Sequence, residues 1–167
     1  MKKVLALMGA SLLLAASCYA QTVYSENRIE EPDVPDAVLK AFKMAYPKTR
    51  PRGYFKVDAA GALSYKIEAK EGGSQRFASY DEQGQLVQIE DAIAVTSLPA
   101  NAQLTIQKDY AEGEVTYAAK FLQRDRVSYR ANVKKEEKLF ALQFDSEGRL
   151  TSSHEVKVNM VFRGVQP

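Results

Sequence analysis

Hydrophobic and polar residues alternate over most of the chain, in short segments separated by polar links. A period of two is typical of strands that bury one face. The segments with this pattern are residues 53–58, 63–70, 76–81, 86–93, 115–123, 127–135, 139–145 and 150–162. Most of the links between consecutive segments are short and polar, which predicts antiparallel hairpins.

Two further segments follow a helical period. Residues 34–47 begin with a proline where a first helical turn tolerates it, place Val38 and Phe42 four residues apart, and stop at Pro47. Residues 98–113 repeat the proline start and end near Gly113. Each segment predicts one helix in front of a set of strands.

The two sets of one helix and four strands are copies of each other. A shift of 64 positions, without a gap, aligns similar residues such as Lys66 with Arg130. Identical pairs are Pro35 and Pro99, Tyr46 and Tyr110, Lys56 and Lys120, Ser64 and Ser128, Tyr65 and Tyr129, Lys70 and Lys134, Asp81 and Asp145, Gly84 and Gly148, and Leu86 and Leu150. We therefore predict an α+β fold of two tandem repeats, residues 34–97 and 98–167. Each repeat has a helix and a four-stranded antiparallel sheet, and the sheets lie side by side with the helices on one face.

The repeated aspartate and glycine have a local role in this interpretation. An aspartate side chain can accept hydrogen bonds from backbone amides ahead of it, and glycine adopts the positive φ that tight loops need. The segments "DEQG" and "DSEG" are too short for a calcium loop. We interpret them as turns, and we expect no metal or cofactor.

The first residues have the pattern of a secretory signal peptide. Lys2 and Lys3 precede an apolar run, and small residues lead to a cleavage position after Ala20. Cys18, the only cysteine, lies inside this segment, and an alternative is a lipid anchor at Cys18 on an outer-membrane lipoprotein. Residues 21–33 are acidic and contain proline, which predicts a flexible leader. The mature chain is expected to be periplasmic or secreted.

Charge argues against nucleic acid as a partner. Removal of Lys2 and Lys3 from the 23 basic residues leaves 21, which equals the 21 acidic residues. A nucleic-acid binder normally carries a basic surplus that displaces counterions. No later segment is apolar over the ~20 residues that a membrane span requires.

Alternation also assigns strand residues to the two faces of the sheet. Phe55, Val57, Tyr117, Ala119 and Phe121 are expected under the helices. The opposite face mixes cations with aromatic and aliphatic groups, as protein-binding surfaces do. Its lysines could instead form only a solvated surface that discourages aggregation. The residues predicted to contact a protein partner are Tyr54, Lys56, Lys66, Lys70, Phe77, Ile89, Lys120, Arg130 and Lys134.

The order of elements, the segments "SYKIEAK" and "SYRANVK", and the turns "YDEQG" and "FDSEG" resemble the PepSY-like repeat. Tandem repeats of this kind are similar to the β-lactamase-inhibitor-protein fold, in which helices back one concave antiparallel sheet. The resemblance covers residues 34–162. It implies a secreted, non-catalytic binding module, with inhibition of a protease or another envelope enzyme as its function. The second helix is more polar than the first, and the tryptophans and cysteines of that inhibitor are missing, so no β-lactamase target is carried over.

The residues themselves argue against an enzyme. His154 is the only histidine, and Cys18 is lost with the signal, which leaves no Cys and His pair and no histidine metal cluster. An alternative function is a periplasmic small-ligand carrier or an envelope scaffold. That alternative predicts an apolar pocket lined by Phe42, Tyr46, Ile106 and Tyr110.

Overall fold

The computed structural model describes residues 24–59 and 61–156. The predicted signal peptide and residues 157–162 of the last predicted strand lie outside these ranges. The strands are β1 (Tyr24–Ile29), β2 (Gly53–Ala59), β3 (Ala62–Glu71), β4 (Ser74–Tyr80), β5 (Leu86–Ala92), β6 (Glu114–Gln123), β7 (Arg126–Lys135), β8 (Lys138–Phe144) and β9 (Leu150–Val156). The helices are α1 (Asp36–Ala45) and α2 (Ala100–Asp109), and short 3-10 turns cover Glu31–Asp33 and Val95–Ser97.

Each helix begins after a proline and buries one narrow stripe. Pro35 and Pro99 occupy the N-cap positions with φ of −55° and −54°, which proline fixes without cost. Val38 and Phe42 of α1 are buried, as are Ala102 and Ile106 of α2, so in each helix residues four apart face the sheet. Both predicted helices are confirmed.

The strands form one sheet of nine rather than two sheets of four. Every neighbouring pair is antiparallel, and the spatial order is the chain order from β1 to β9. The predicted four-stranded repeats with separate sheets are not confirmed, because β5 hydrogen-bonds to β4 on one side and to β6 on the other. The copies share one continuous backbone ladder.

Strand β5 belongs to both copies by its register. Glu26 of β1 pairs with Val57, and 64 positions later Glu90 of β5 pairs with Phe121. Strand β5 therefore occupies in the second copy the place that β1 occupies in the first. It also ends the first copy as β9 ends the second, since Ile89 faces Ala78 as Ser153 faces Leu142.

Strand β1 corrects the predicted flexible leader. Tyr24–Ile29 pairs with β2 along its whole length, and Glu31–Asp33 forms a 3-10 turn, so the prediction is wrong for residues 24–33. Although the segment is acidic, Ile29 packs against the core and Glu26 forms an ion pair with Lys66. Partners that are distant in sequence stabilise the segment.

Two separate hydrophobic cores lie between the helices and the sheet, one in each copy. Under α1, Phe42 contacts a cluster that includes Tyr65, Ile67 and Tyr80. Under α2, Ile106 lies in a cluster with Val133, Leu142 and Phe144. We call the sheet face that carries these cores the helix side.

The predicted aspartate turns are present in both copies. Asp81 Oδ1 accepts hydrogen bonds from the amides of Gln83 (3.0 Å) and Gln85 (2.8 Å), and Gly84 has φ +79°. Asp145 Oδ1 accepts the equivalent bonds from Glu147 and Arg149, both at 2.9 Å. The repeated motif is structural.

Candidate protein-binding face

The sheet face opposite the helices is defined by the pairing register, because directly paired residues point to the same side. We call it the open face. It carries Glu26, Arg28, Phe55, Val57, Lys66, Glu68, Lys70, Gln75, Phe77, Ser79, Gln88, Glu90, Tyr117, Ala119, Phe121, Ser128, Arg130, Asn132, Lys134, Leu139, Ala141, Gln143, Ser152 and His154. Both helices pack on the other side.

Five of the nine predicted contact residues lie on the open face. They are Lys66, Lys70, Phe77, Arg130 and Lys134. Of these, Lys70 and Lys134 are exposed, whereas the other three are partly buried. The remaining four, Tyr54, Lys56, Ile89 and Lys120, lie on the helix side, so their predicted orientation is wrong.

The orientation predicted for strand β2 is wrong, because apolar character does not mark the helix side in this strand. Tyr54 pairs with Ile67 on the helix side, and its hydroxyl donates a 2.8 Å hydrogen bond to Glu31 Oε2. Lys56 follows on the same side, opposite Tyr65. Burial and this hydrogen bond raise the pKa of Tyr54 to about 12. Phe55 and Val57 lie instead on the open face, which has an apolar layer of its own.

Irregularities in the register account for the other two errors. Between Val115 and Tyr117 the pairing of β6 shifts, so the alternation reverses and Lys120 lies on the helix side while Phe121 lies on the open face. In β5 the register skips Val87, which places Ile89 opposite Ala78 on the helix side. The skip recurs in β9 at Thr151, and Ser153 there bonds to the hydroxyl of Tyr110 at 2.7 Å.

Lys66 is the centre of the open face in the first copy. Its Nζ lies 4.3 Å from the centroid of the Phe77 ring and 5.8 Å from that of Phe55. It pairs with Glu26 at 3.2 Å and with Glu90 at 3.8 Å. An ammonium between rings and carboxylates is attracted by both, and its position is fixed.

Glu90 connects the two copies. Among the described residues, Glu90 is the one charged residue that is buried. Besides its ion pair with Lys66, it accepts a 2.6 Å hydrogen bond at Oε1 from the hydroxyl of Tyr117. Burial, followed by this hydrogen bond, raises the pKa of the Tyr117 phenol well above its ordinary value. Sequence reasoning missed Glu90 and Tyr117, although the 64-residue shift aligns Glu90 with Glu26 and could have indicated the first of them.

Arg130 is the counterpart of Lys66 in the second copy. Its Cζ lies 4.8 Å from the centroid of the Phe121 ring, which is buried. Beside it is a cavity of about 200 Å³, whose lining includes Gln88, Ser128 and Gln143. The lining of this recess therefore combines a cation, an aromatic ring and polar side chains.

The residues proposed for a carrier pocket do not form one. Phe42 and Tyr46 pack on each other with ring centroids 5.0 Å apart in the first core, whereas Ile106 and Tyr110 belong to the second. Tyr110 borders a shallow surface cavity of about 270 Å³ at the end of α2, with charged neighbours such as Lys135. The four residues fill two cores and do not enclose a shared space.

Within residues 24–59 and 61–156, no three His, Cys, Asp or Glu side chains are grouped so that they could hold a metal ion. His154 lies exposed on β9, the last strand in the sheet order. No helix among these residues is long and apolar enough to cross a membrane.

Comparison with known proteins gives matches of two kinds. The family model described as "Putative beta-lactamase-inhibitor-like, PepSY-like" matches residues 21–88 and 64–152. A DUF2874 family protein from Bacteroides ovatus superimposes with a TM-score of 0.63 at 18% identity, over 78% of this chain and 93% of that chain. No curated protein matches the sequence.

Two other solved structures have the same fold. One is described as "putative periplasmic proteins" from Bacteroides eggerthii, with a TM-score of 0.64, 16% identity, and coverage of 74% of this chain and 89% of that chain. The other is a BLIP-like protein from Bacteroides fragilis, with a TM-score of 0.58, 17% identity, and coverage of 73% and 86%. At these identities the likeness shows the fold alone.

Proposed function

Because the chain belongs to the PepSY-like, beta-lactamase-inhibitor-like family, we propose that it is a non-catalytic module that binds another protein through the open face. The observation that carries this proposal is the single nine-stranded sheet, one side of which is free of both helices. A continuous face of this extent offers one partner contacts from both copies.

The open face is suited to binding because its central side chains are already ordered. Lys66 and Arg130 lie against aromatic rings, and Glu90 is held by Tyr117 and Lys66. Binding costs free energy when flexible side chains must be immobilised, roughly 0.5–1.5 kcal/mol for each one. Groups that are fixed beforehand avoid much of this loss.

We place the mature protein in the periplasm or outside the cell, where it would hold a protease or another envelope enzyme in check. The basic and apolar start of the chain supports export. The name of the Bacteroides eggerthii structure supports the same compartment. A small-ligand carrier is less well supported, since the open-face cavity of about 200 Å³ is below the ~300–1,000 Å³ of ordinary ligand pockets.

The test adds bulk to the open face without removing a contact. Ser128 and Ser152 are exposed there, so the double variant Ser128→Tyr, Ser152→Tyr should fold and block the face. A matched control adds the same groups at exposed positions on and just after α2, as Gln107→Tyr with Ala111→Tyr. Neither variant changes the net charge.

The three proteins are used to capture partners from the envelope and secreted fractions of the source cell, and the captured protein is then purified and titrated by calorimetry. We expect the open-face variant to bind at least about tenfold more weakly than the parent, a loss of about 1.4 kcal/mol. The α2 control should bind like the parent. Equal affinity for all three proteins, or capture of no protein by the parent, would refute the open-face function.

A further inference from the structure

The two copies differ in how the central cation of the open face is paired. In the first copy, Lys66 forms an ion pair with Glu26 across β2. The 64-residue shift aligns Lys66 with Arg130 and Glu26 with Glu90. The fold therefore provides an equivalent pair, Arg130 and Glu90, in the second copy.

That second pair is not formed, because Glu90 has other partners. Its Oε1 accepts the hydrogen bond from Tyr117, and its Oε2 lies 3.8 Å from Lys66 of the first copy. Tyr117 stands where the first copy has Gly53, so the competing donor has no counterpart there. Tyr117 and Lys66 together engage both oxygens of Glu90, and its carboxylate forms no ion pair with Arg130.

Arg130 is left with an aromatic neighbour and no carboxylate. Among the residues that the structure describes, its side chain makes no hydrogen bond or ion pair, and its close contact is with the Phe121 ring. A guanidinium presents donors in a planar fork that matches a carboxylate, and partial burial strengthens such a bond. The unfilled donors of Arg130 are therefore a site for an external carboxylate.

The space beside Arg130 suits one short acidic side chain. The cavity of about 200 Å³ has Phe121 and the polar side chains of Gln88, Ser128 and Gln143 in its lining. These amide and hydroxyl groups can bond to a second carboxylate oxygen, or to the peptide that carries it. The cavity contains no carboxylate in its lining that would repel an anion.

We propose that the open-face cavity at Arg130 receives an aspartate or glutamate side chain of the bound protein. This inference rests on the proposed function and names the chemistry of the partner at one position. The incoming carboxylate completes in the second copy the ion pair that Glu26 forms with Lys66 in the first. The partner's surface is acidic where it meets β6 and β7.

The first experiment uses two capped tripeptides as probes, N-acetyl Gly-Glu-Gly amide and N-acetyl Gly-Gln-Gly amide, titrated into the isotope-labelled mature chain. We expect the glutamate peptide to give saturable NMR shifts at Arg130, Phe121 and Gln143, and the glutamine peptide to give none. Arg130→Gln should abolish the shifts. Lys134→Gln removes the same charge from an exposed position on the same strand and face, and should leave them unchanged.

Equal shifts from both peptides, an unchanged response in Arg130→Gln, or shifts centred on Lys66 would overturn the assignment. Arg130→Lys is a second variant that keeps the charge without the planar fork. It should bind the glutamate peptide more weakly than the parent and more tightly than Arg130→Gln, and affinity equal to the parent counts against a forked bond.

The captured partner separates this inference from the function on which it rests. We expect Arg130→Gln to weaken its binding by about tenfold to a hundredfold. If Ser128→Tyr, Ser152→Tyr loses the partner while Arg130→Gln binds it at full affinity, the carboxylate site is wrong and the open-face function stands. If neither variant loses the partner, the function itself fails.

Discussion

The glycines of the two aspartate turns should be far less replaceable than their positions in surface turns suggest, because Gly84 is half-buried and Gly148 is buried. Gly84 has φ +79°, and a Cβ on it would lie 2.5 Å from the carbonyl oxygen of Ala37 in α1. Gly148 has φ +80°, and its Cβ would lie 2.7 Å from Pro99 Cβ. In both copies, the turn packs directly beneath the first turn of the helix. Gly61 provides a control, because its φ is +84° but a Cβ there meets nothing within 4 Å.

The expected magnitudes separate two effects. All three Gly→Ala changes place a side chain in the left-handed region, which costs about 1–2 kcal/mol and is partly offset by a stiffer unfolded chain. At Gly84 and Gly148 the helix must also move, and overpacking of this kind costs about 1–3 kcal/mol more. That increment corresponds to a melting temperature lower by about 2–12 °C than that of Gly61→Ala.

Urea unfolding followed by circular dichroism measures the three free energies on one scale, with the slopes checked for equality. The comparison of interest is each turn variant against Gly61→Ala rather than against the parent. A difference below about 0.5 kcal/mol, the usual scatter of surface substitutions, would refute the close packing of turn on helix.

Two predictions concern tyrosine hydroxyls, of which that of Tyr80 is buried and those of Tyr54 and Tyr117 belong to half-buried side chains. The Tyr80 hydroxyl is buried and bonds to no described residue, so Tyr80→Phe should be neutral or stabilising by up to about 1 kcal/mol, whereas Tyr117→Phe leaves Glu90 without its donor and should cost about 1–3 kcal/mol in urea unfolding. Equal losses in the two variants would contradict this. Burial raises the pKa of Tyr80 to about 12. Burial and the hydrogen bond to Glu31 raise the pKa of Tyr54 to about 12 as well. A tyrosine of the unfolded chain ionises near pH 10. The unfolded chain therefore loses these protons first, and the contribution of these two tyrosines to the free energy of unfolding should be constant below about pH 10 and fall towards pH 12. The double variant Tyr54→Phe, Tyr80→Phe should show a weaker fall, and an unchanged pH dependence would refute the cause.

Local features of the fold could be predicted from the sequence alone. The helix starts at Pro35 and Pro99, and the turns at Asp81 and Asp145, depend on groups within a few residues of each other. The same holds for the alternation that marks the strands. Because these interactions are local and occur twice at one spacing, the predicted helix starts and aspartate turns are confirmed in both copies.

The faces of the sheet could not be predicted so well, because they depend on contacts that are distant in the sequence. Phe55 and Val57 are as apolar as core residues, yet they lie on the open face, where Lys66 and Arg28 cover Phe55. The equivalent strand of the second copy has the same orientation, with Lys120 on the helix side and Phe121 on the open face. An alternating pattern divides the strand residues between two faces of the sheet. Which of these faces lies against the helices is decided by residues that are distant in the sequence.

The repeat also explains why the difference between Lys66 and Arg130 could not be predicted from the sequence. By the repeat, Arg130 is equivalent to Lys66. Each is a cation near an aromatic ring, and each has a glutamate two strands away in the sheet. Their states differ because β5 belongs to both copies, so Glu90 lies within reach of Lys66 from one side and of Tyr117 from the other. The two oxygens of Glu90 are engaged by Tyr117 and Lys66, and among the described residues neither forms an ion pair with Arg130. The continuity of the sheet therefore leaves Glu90 paired with Lys66 and Tyr117, and Arg130 against the Phe121 ring. That asymmetry is a property of the assembled sheet that neither copy shows alone.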